Sequence, residues 1–384
     1  RMRGALYDPR DRFLQRSAEV DIDLVVFGTG ILFIGESASG RDLRFRSVHL
    51  KEAYLAESAD GDIDTVFRVL TMSARQAAQT WGQERLGDGP RRALETGKRD
   101  ENFKFLHVVM PREESDPKKP PRLRMRFASV WIDVGSKHLI GEGGYNELPY
   151  VIPRWDTAAN EIYGRSPGMI ALPDASTLNQ MGKTLLKAGH KAVDPPLLDP
   201  NDGMKSARRT WPGGQTYYDA ELLQRTQGRP PVFPLDTGAN IPLGREMQND
   251  TRDQVWSAFF RNVLNLPVEG PQMTATEVLQ RKEEFIRVIG PTFGRLEADY
   301  IGPLAERTFN LLLRGGAFGP VELIPKSLRG NRVRFEFVSP VARAVRQIEA
   351  AALGKTLEDI APLAASKPDL LDHFDADTIA RDVA

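Results

Sequence analysis

The chain of 384 residues contains no cysteine. That absence removes disulfides, thiolate nucleophiles and cysteine-ligated zinc together, and it fits a protein made in a reducing compartment. Histidine is scarce, with 5 residues in all, and no two of them have the helical spacing of a metal-ligand pair. Net charge is absent as well: 52 Lys and Arg stand against 52 Asp and Glu. No global field therefore draws the chain to nucleic acid or to an anionic membrane surface, and any basic site must be local. The longest nearly charge-free apolar stretch, Leu24 to Gly35, interrupted by Gly28 and Gly30, falls short of the roughly 20 residues of a bilayer crossing. No membrane span is expected. Arg1 precedes Met2 with no signal-like region after it, which points to numbering that starts inside a longer product.

What is present is a change of period along the chain. At roughly 150 residues per domain, the length allows two or three domains. Residues 1 to about 150 read as strands with occasional helices, and from about Pro173 onward a period of nearly four makes helices dominant, which together describe an α+β chain. Leu24-Val25-Val26-Phe27 and Ile31-Leu32-Phe33-Ile34 around Gly28-Thr29-Gly30 predict a tight hairpin. Tyr54 to Glu57 and Thr65 to Leu70, around the polar tip Ala59 to Asp62, predict a second. Ser73 is a good helix N-cap. Phe105 to Met110 and Met125 to Val134 are further strands, with an exposed loop at Pro111 to Pro121.

From Pro173 the apolar residues Leu178, Met181, Leu185 and Val193, with small residues beside them, mark one helical face. Pro195-Pro196 stops that helix. Asn201 to Ile241 is rich in Gly and Pro and reads as a compact insertion; a second helix runs from about Pro242 to Asn262. Thr274 and Glu277 have capping-box spacing, opening a long amphipathic helix that Gly290-Pro291 and Gly302-Pro303 kink and Arg314-Gly315-Gly316 ends. Strands around Val321 and Val333 to Val338, a helix opening at Ser339-Pro340, and an acidic tail complete the chain.

Positive signals for catalysis are missing. Gly182-Lys183-Thr184 lacks the earlier glycine of a phosphate loop, because Thr177 stands there. Gly28-Thr29-Gly30 is too short for a dinucleotide fingerprint, and Phe33 occupies the place of its third glycine. Asp372, His373, Asp375 and Asp377 are dense enough for a divalent ion, yet an Asp-capped helix start explains them more cheaply. No Gly-x-Ser-x-Gly elbow occurs. The residues give no positive evidence for an enzyme, a cofactor or a metal site.

One basic feature stands out. Lys183, Lys187 and Lys191 recur every four residues, so they project from one side of the helix about 6 Å apart, roughly opposite its packing stripe. On an isolated domain this is a solvated face. Lining a pore in a ring of copies, each lysine becomes a ring of positive charge that contacts phosphates without reading sequence. Lys205, Arg208 and Arg209 beside Trp211, Tyr217 and Tyr218 pose a similar choice between a docking surface and an ordinary charged loop.

Several ordered blocks resemble the head-to-tail connector, or portal, proteins of short-tailed bacteriophages. They are Tyr163-Gly164-Arg165-Ser166-Pro167-Gly168 with Leu172-Pro173-Asp174, and His190-Lys191-Ala192-Val193-Asp194-Pro195-Pro196-Leu197. Met273 to Val278 with Arg281 and Glu284, and Ser339-Pro340-Val341-Ala342-Arg343, follow in the same order. The resemblance spans about Ser73 to Ile348. It implies a dodecameric ring at one capsid vertex, through which double-stranded DNA is packaged and ejected, in a virion assembled in the host cytoplasm. A separate terminase supplies the energy, and the partners are terminase, a tail adaptor, and the major capsid and scaffolding proteins.

By segment the resemblance implies a wing over 1–172, stem helices at 173–194 and 242–262 around a clip at 195–241, and a tunnel loop at 263–274. The wing then resumes over 275–338, with a long kinked helix, and a helical crown starts at 339–384. The tunnel-loop candidates are Leu264, Asn265, Leu266, Val268 and Glu269, whose single charge favours steric contact with DNA over ion pairing. Two other readings are a different ring-forming virion component, such as a tail adaptor, and a soluble nucleotide-binding enzyme.

Overall fold

Alternation of apolar and polar residues in four strands between Ala53 and Asp133, and a glycine-rich fifth strand after them, build one antiparallel meander. The computed structural model describes residues 2–36, 43–113, 118–198, 240–261 and 287–319, with isolated positions between 215 and 238. Two short helices open the chain, α1 (Met2–Leu6) and α2 (Phe13–Phe27), followed by β1 (Leu32–Glu36) and β2 (Leu43–Ser47). The meander comprises β3 (Ala53–Glu57), β4 (Ile63–Ser73), β5 (Asn102–Pro111), β6 (Phe127–Asp133) and β7 (His138–Tyr145), paired in chain order. Helices α3 (Ala74–Trp81) and α4 (Asp88–Glu95) lie between β4 and β5. A second sheet has the order β2-β1-β8, with β8 at Tyr150–Val151.

The remaining elements are α5 (Pro167–Val193), the two-residue strands β9 (Leu197–Leu198) and β10 (Phe233–Pro234), α6 (Ile241–Ala258) and α7 (Gly302–Arg314). The chain divides into two compact units, Arg1–Met169 with Leu266–Ala384, and Ile170–Asn265.

The β3–β4 hairpin and strands β5 and β6 lie where alternation placed them. The helix start at Ser73 is also present, as a capping box. Ser73 Oγ accepts from the Gln76 amide at 3.3 Å, and Gln76 Oε1 accepts from the Ser73 amide at 3.0 Å. Ser73→Ala is expected to cost about 1 kcal/mol, seen as a lower melting temperature with faster amide exchange confined to α3.

The first predicted hairpin is absent. Leu24 to Phe27 is the last turn of α2, whose Val20 and Leu24, one helical turn apart, are both buried. Gly28, at φ 79°, ends that helix by donating its amide to Leu24 O at 2.9 Å. β1 pairs instead with β2 and β8. The opening residues are therefore helical, against the expectation of strands.

Three clusters hold the first unit. Ile31, Val66, Val109 and Tyr150 belong to one that draws residues from both sheets. Val20 of α2 and Leu311 and Leu312 of α7 pack with Leu32, Ile34 and Phe45. Phe105, fully buried, packs with Ala77, Leu86 and Ile140, and with Trp81 and Trp131 at the edge.

The helix preceding Gly315-Gly316 ends as its glycines predict, with Gly316 at φ 70°. Residues 287–296 are helical through Pro291, so no break occurs there. The irregularity falls at Glu297–Ile301, a π turn immediately before Gly302-Pro303. Proline lacks the amide that an unbroken α-helical ladder requires, and the wider turn absorbs the mismatch. The capping box at Thr274, the strands near Val321 and Val333, the helix at Ser339-Pro340 and the acidic tail lie outside the described residues.

Candidate nucleic-acid interface

The lysine row lies on α5, which starts at Pro167 and not at Pro173. Ser166 accounts for the difference: its hydroxyl accepts from the Met169 amide at 2.8 Å and donates to Val26 O at 2.7 Å. Pro167 then occupies the first helical position, where no amide is needed. Pro173 sits inside the first turns of the helix. The helix ends at Val193, ahead of Pro195-Pro196.

Its partner α6 begins where Asn240 caps the Leu243 amide at 3.1 Å, and it ends at Ala258, four residues short of the expected Asn262. Lys183, Lys187 and Lys191 are all exposed. The opposite side of α5 meets α6. The Thr251 hydroxyl donates to the Met181 sulfur at 3.7 Å, and Leu185 packs so closely on Gly244 that a Cβ there would sit 2.5 Å from it. Val193, counted with that stripe in the sequence, is 89% exposed and is not part of the packing face.

An open groove of about 1200 Å³ follows α5, lined by Leu178, Leu186 and the three lysines, with Gln248 and Arg252 contributed by α6. The row is thus a set of three ammonium groups along an open helix face beside apolar surface. Such a surface can neutralise a phosphate backbone.

Of the insertion's candidates, Tyr217 is exposed and its hydroxyl donates to Gln215 at 2.9 Å. Lys205, Arg208, Arg209, Trp211 and Tyr218 lie outside the described residues, as do Leu264, Asn265, Leu266, Val268 and Glu269.

The block Tyr163 to Gly168 has a structural meaning that spacing alone did not reveal. Gly164 donates its amide to Thr29 Oγ1 at 2.8 Å, and Tyr163 OH accepts from the Leu55 amide at 3.1 Å. The backbones of Gly28 and Gly164 touch: a Cβ on Gly164 would lie 2.1 Å from Gly28 O. Gly28-Thr29-Gly30 is therefore a docking point for this block, and not a hairpin turn.

Sequence reasoning also missed the buried charges, because their partners are distant in the chain. Arg154 binds Glu57 at 2.7 Å and Asp299 at 3.4 Å. Burial pushes the Asp299 carboxyl up, against the pull of Arg154. Arg307, 4% exposed, donates from Nε to Ile34 O at 3.1 Å and from Nη1 to Glu147 Oε2 at 3.3 Å, tying α7 to β1 and the loop before β8. His107 on β5 stacks on Trp131 at 3.9 Å between ring centroids and bonds Tyr150 OH at 3.1 Å and Ser129 Oγ at 2.9 Å. Burial, helped by the Arg68 charge, lowers its pKa to about 3, so it is neutral. These groups are structural, each satisfied within the fold.

No helix among the described residues is long and apolar enough to cross a membrane. The chain is 28% identical over 332 residues to a probable portal protein of Bordetella phage BPP-1, covering 85% of this chain and 58% of that protein. It is 28% identical over 359 residues to the portal protein of Salmonella phage epsilon15, covering 92% of this chain and 63% of that protein. The chain thus spans about three fifths of the length of these curated relatives. Among solved structures, the neck of an empty GTA particle computed with C6 symmetry is similar at 12% identity and a TM-score of 0.33, covering 89% of this chain and 74% of that one. Residues 10–384 match the family described as bacteriophage head to tail connecting protein, and the chain belongs to that family.

Proposed function

We propose that this chain is the subunit of a phage portal, a ring at the capsid vertex through which double-stranded DNA is packaged and later ejected. The observation that carries this reading is the family match along residues 10–384. The two portal-named relatives over most of the chain support it. The role is mechanical and not catalytic: a terminase supplies the energy, and the ring guides DNA and offers docking surfaces to terminase, tail adaptor, capsid and scaffolding proteins. The assembly takes place in the host cytoplasm and ends in the virion.

In this reading α5 from Pro173 onward and α6 are the stem helices of a dodecameric ring, residues 195–241 the clip and 263–274 the tunnel loop. Residues 1–172 and 275–338 make the wing, and 339–384 begin the crown. Lys183, Lys187 and Lys191 face the channel, where each becomes a ring of positive charge. Contacts of this kind are made to phosphates, slide without sequence preference and weaken with salt. The small number of lysines suits a conduit better than a strongly basic surface would, since tight binding would hold the DNA in place.

Converting Lys183, Lys187 and Lys191 together to alanine tests the assignment. Rings are expected to assemble normally, while the yield of nuclease-protected DNA falls several-fold. Unchanged packaging and retention would remove the lysines from the channel.

A further inference from the structure

The first unit holds a cleft of about 740 Å³ that the ring-and-channel reading does not use. One wall is the face of β1 and β2 that carries Phe33, Gly35, Arg44 and Arg46. Phe33 pairs with Arg46 and Gly35 with Arg44 across these strands, so the two arginines share a face while Leu43 and Phe45 point into the core. The opposite side carries Trp81 and Gln76 of α3 and Trp131 of β6, and Arg307 and Arg314 of α7 also line the cleft.

The charge in this cleft is unbalanced. Arg307 and Arg314 share Glu147. Glu52, the carboxylate nearest Arg46 in electrostatic effect, is already bonded twice by Arg68, at 3.2 and 2.9 Å. Among the described residues neither Arg44 nor Arg46 is ion-paired. Burial and the like charges of Arg68 and Arg44 disfavour the charge on Arg46, and an anion beside it would offset that. Aromatic and aliphatic walls with side-chain amides between them suit a peptide with carboxylates and apolar anchors.

The chain itself contains such a peptide. Asp369-Leu370-Leu371-Asp372-His373-Phe374-Asp375-Ala376-Asp377 carries four carboxylates and no Lys or Arg, with Leu370, Leu371 and Phe374 as apolar anchors. We infer that the segment Asp369–Asp377 of this chain docks in the cleft, its carboxylates on Arg44 and Arg46 and its apolar side chains against the Trp81 and Trp131 wall. Phe318, the last large side chain of the described helix-turn region, packs on the cluster beneath β2, and the roughly 50 residues from there to Asp369 span far more than the length of the cleft. The partner favoured by the walls is a peptide and not nucleic acid, because Leu70, Met72, Met125 and Leu311 in the lining offer aliphatic surface that apolar anchors fill and a phosphate backbone does not use.

Amide hydrogen exchange on the full chain tests this. In the wild type the amides of 369–377 are expected to exchange at least tenfold more slowly than free peptide. Arg44→Glu with Arg46→Glu should abolish that slowing, Asp372→Lys with Asp375→Lys should abolish it too, and the four changes combined should restore most of it. Exchange in α2 and α4, whose residues do not line the cleft, should stay unchanged in every variant, which controls for folding. Equal exchange of 369–377 in the wild type and in the Arg44/Arg46 variant, or no recovery in the charge-swapped chain, would overturn the inference. Protection of the β2 amides by a 12-nucleotide single strand, with 369–377 indifferent to Arg44 and Arg46, would assign the cleft to nucleic acid and overturn it as well.

Discussion

Gly28→Val is expected to be the most damaging single change in the first unit, costing upwards of about 4 kcal/mol, in the exceptional range for point substitutions. Two effects add. Gly28 sits at φ 79°, where a side chain is strained, and its Cβ would lie 2.3 Å from Gly164 O and 2.5 Å from Gly164 C. Backbone is the obstacle, so no rotamer change relieves the contact. Either the end of α2 or the block Tyr163 to Gly168 must move, and with it the bonds from Gly164 to Thr29 and from Ser166 to Val26 O.

Gly61 is the matched control. It has φ 83° with nothing within 4 Å of the added Cβ, so Gly61→Ala carries only the conformational cost of about 1–2 kcal/mol. Urea unfolding should show a large loss of midpoint for the Gly28 variant and a small one for the Gly61 variant. Equal losses would mean that the Gly28–Gly164 approach contributes nothing beyond backbone strain.

Acid should weaken the fold through His107. In the unfolded chain its imidazole titrates near 6.5, whereas in the fold the neutral form persists down to about 3. Below pH 6.5 the unfolded state therefore binds a proton that the folded state refuses, so stability falls as pH drops. The loss accumulates from about 6.5 to about 3 at up to roughly 1.4 kcal/mol per pH unit. Above pH 6.5 both states are neutral and the group is silent.

Asp299, whose carboxyl burial raises, acts with the opposite sign, so the informative quantity is a difference between variants. His107→Gln should flatten the fall in stability between pH 6.5 and 4 relative to the wild type, even if it lowers stability at pH 8 by breaking the bonds to Tyr150 and Ser129. Parallel profiles for the two proteins would contradict the assignment.

Legibility from sequence followed the range of the interactions. Ser73 and Gln76 are three residues apart, and the β3–β4 hairpin closes over a few residues, so local chemistry was enough for both. Helix α5 was likewise visible in the apolar period of Leu178, Met181 and Leu185. Leu24 to Phe27 was misread because four apolar residues before Gly-Thr-Gly fit a strand as well as a helix end, and only Val20, one turn earlier, breaks the tie. β7 escaped because Gly141, Gly143 and Gly144 erase alternation and its pairing with β6 shifts register at Trp131. β2, with Leu43 and Phe45 inward and Arg44 and Arg46 outward, did carry a readable signal.

The lysine row needed only a helical repeat. The docking of Gly164 on Gly28 and the reach of Arg154 to Asp299 join residues more than a hundred positions apart, which no local pattern encodes.

The central claim is that copies of this chain form a ring around DNA. The direct measurement is negative-stain imaging of the purified protein, with its mass determined in the same buffer. A large ring with a central hole about the width of a DNA duplex is the predicted result. A monomer or dimer of small size, with no ring at any protein concentration tested, would contradict it.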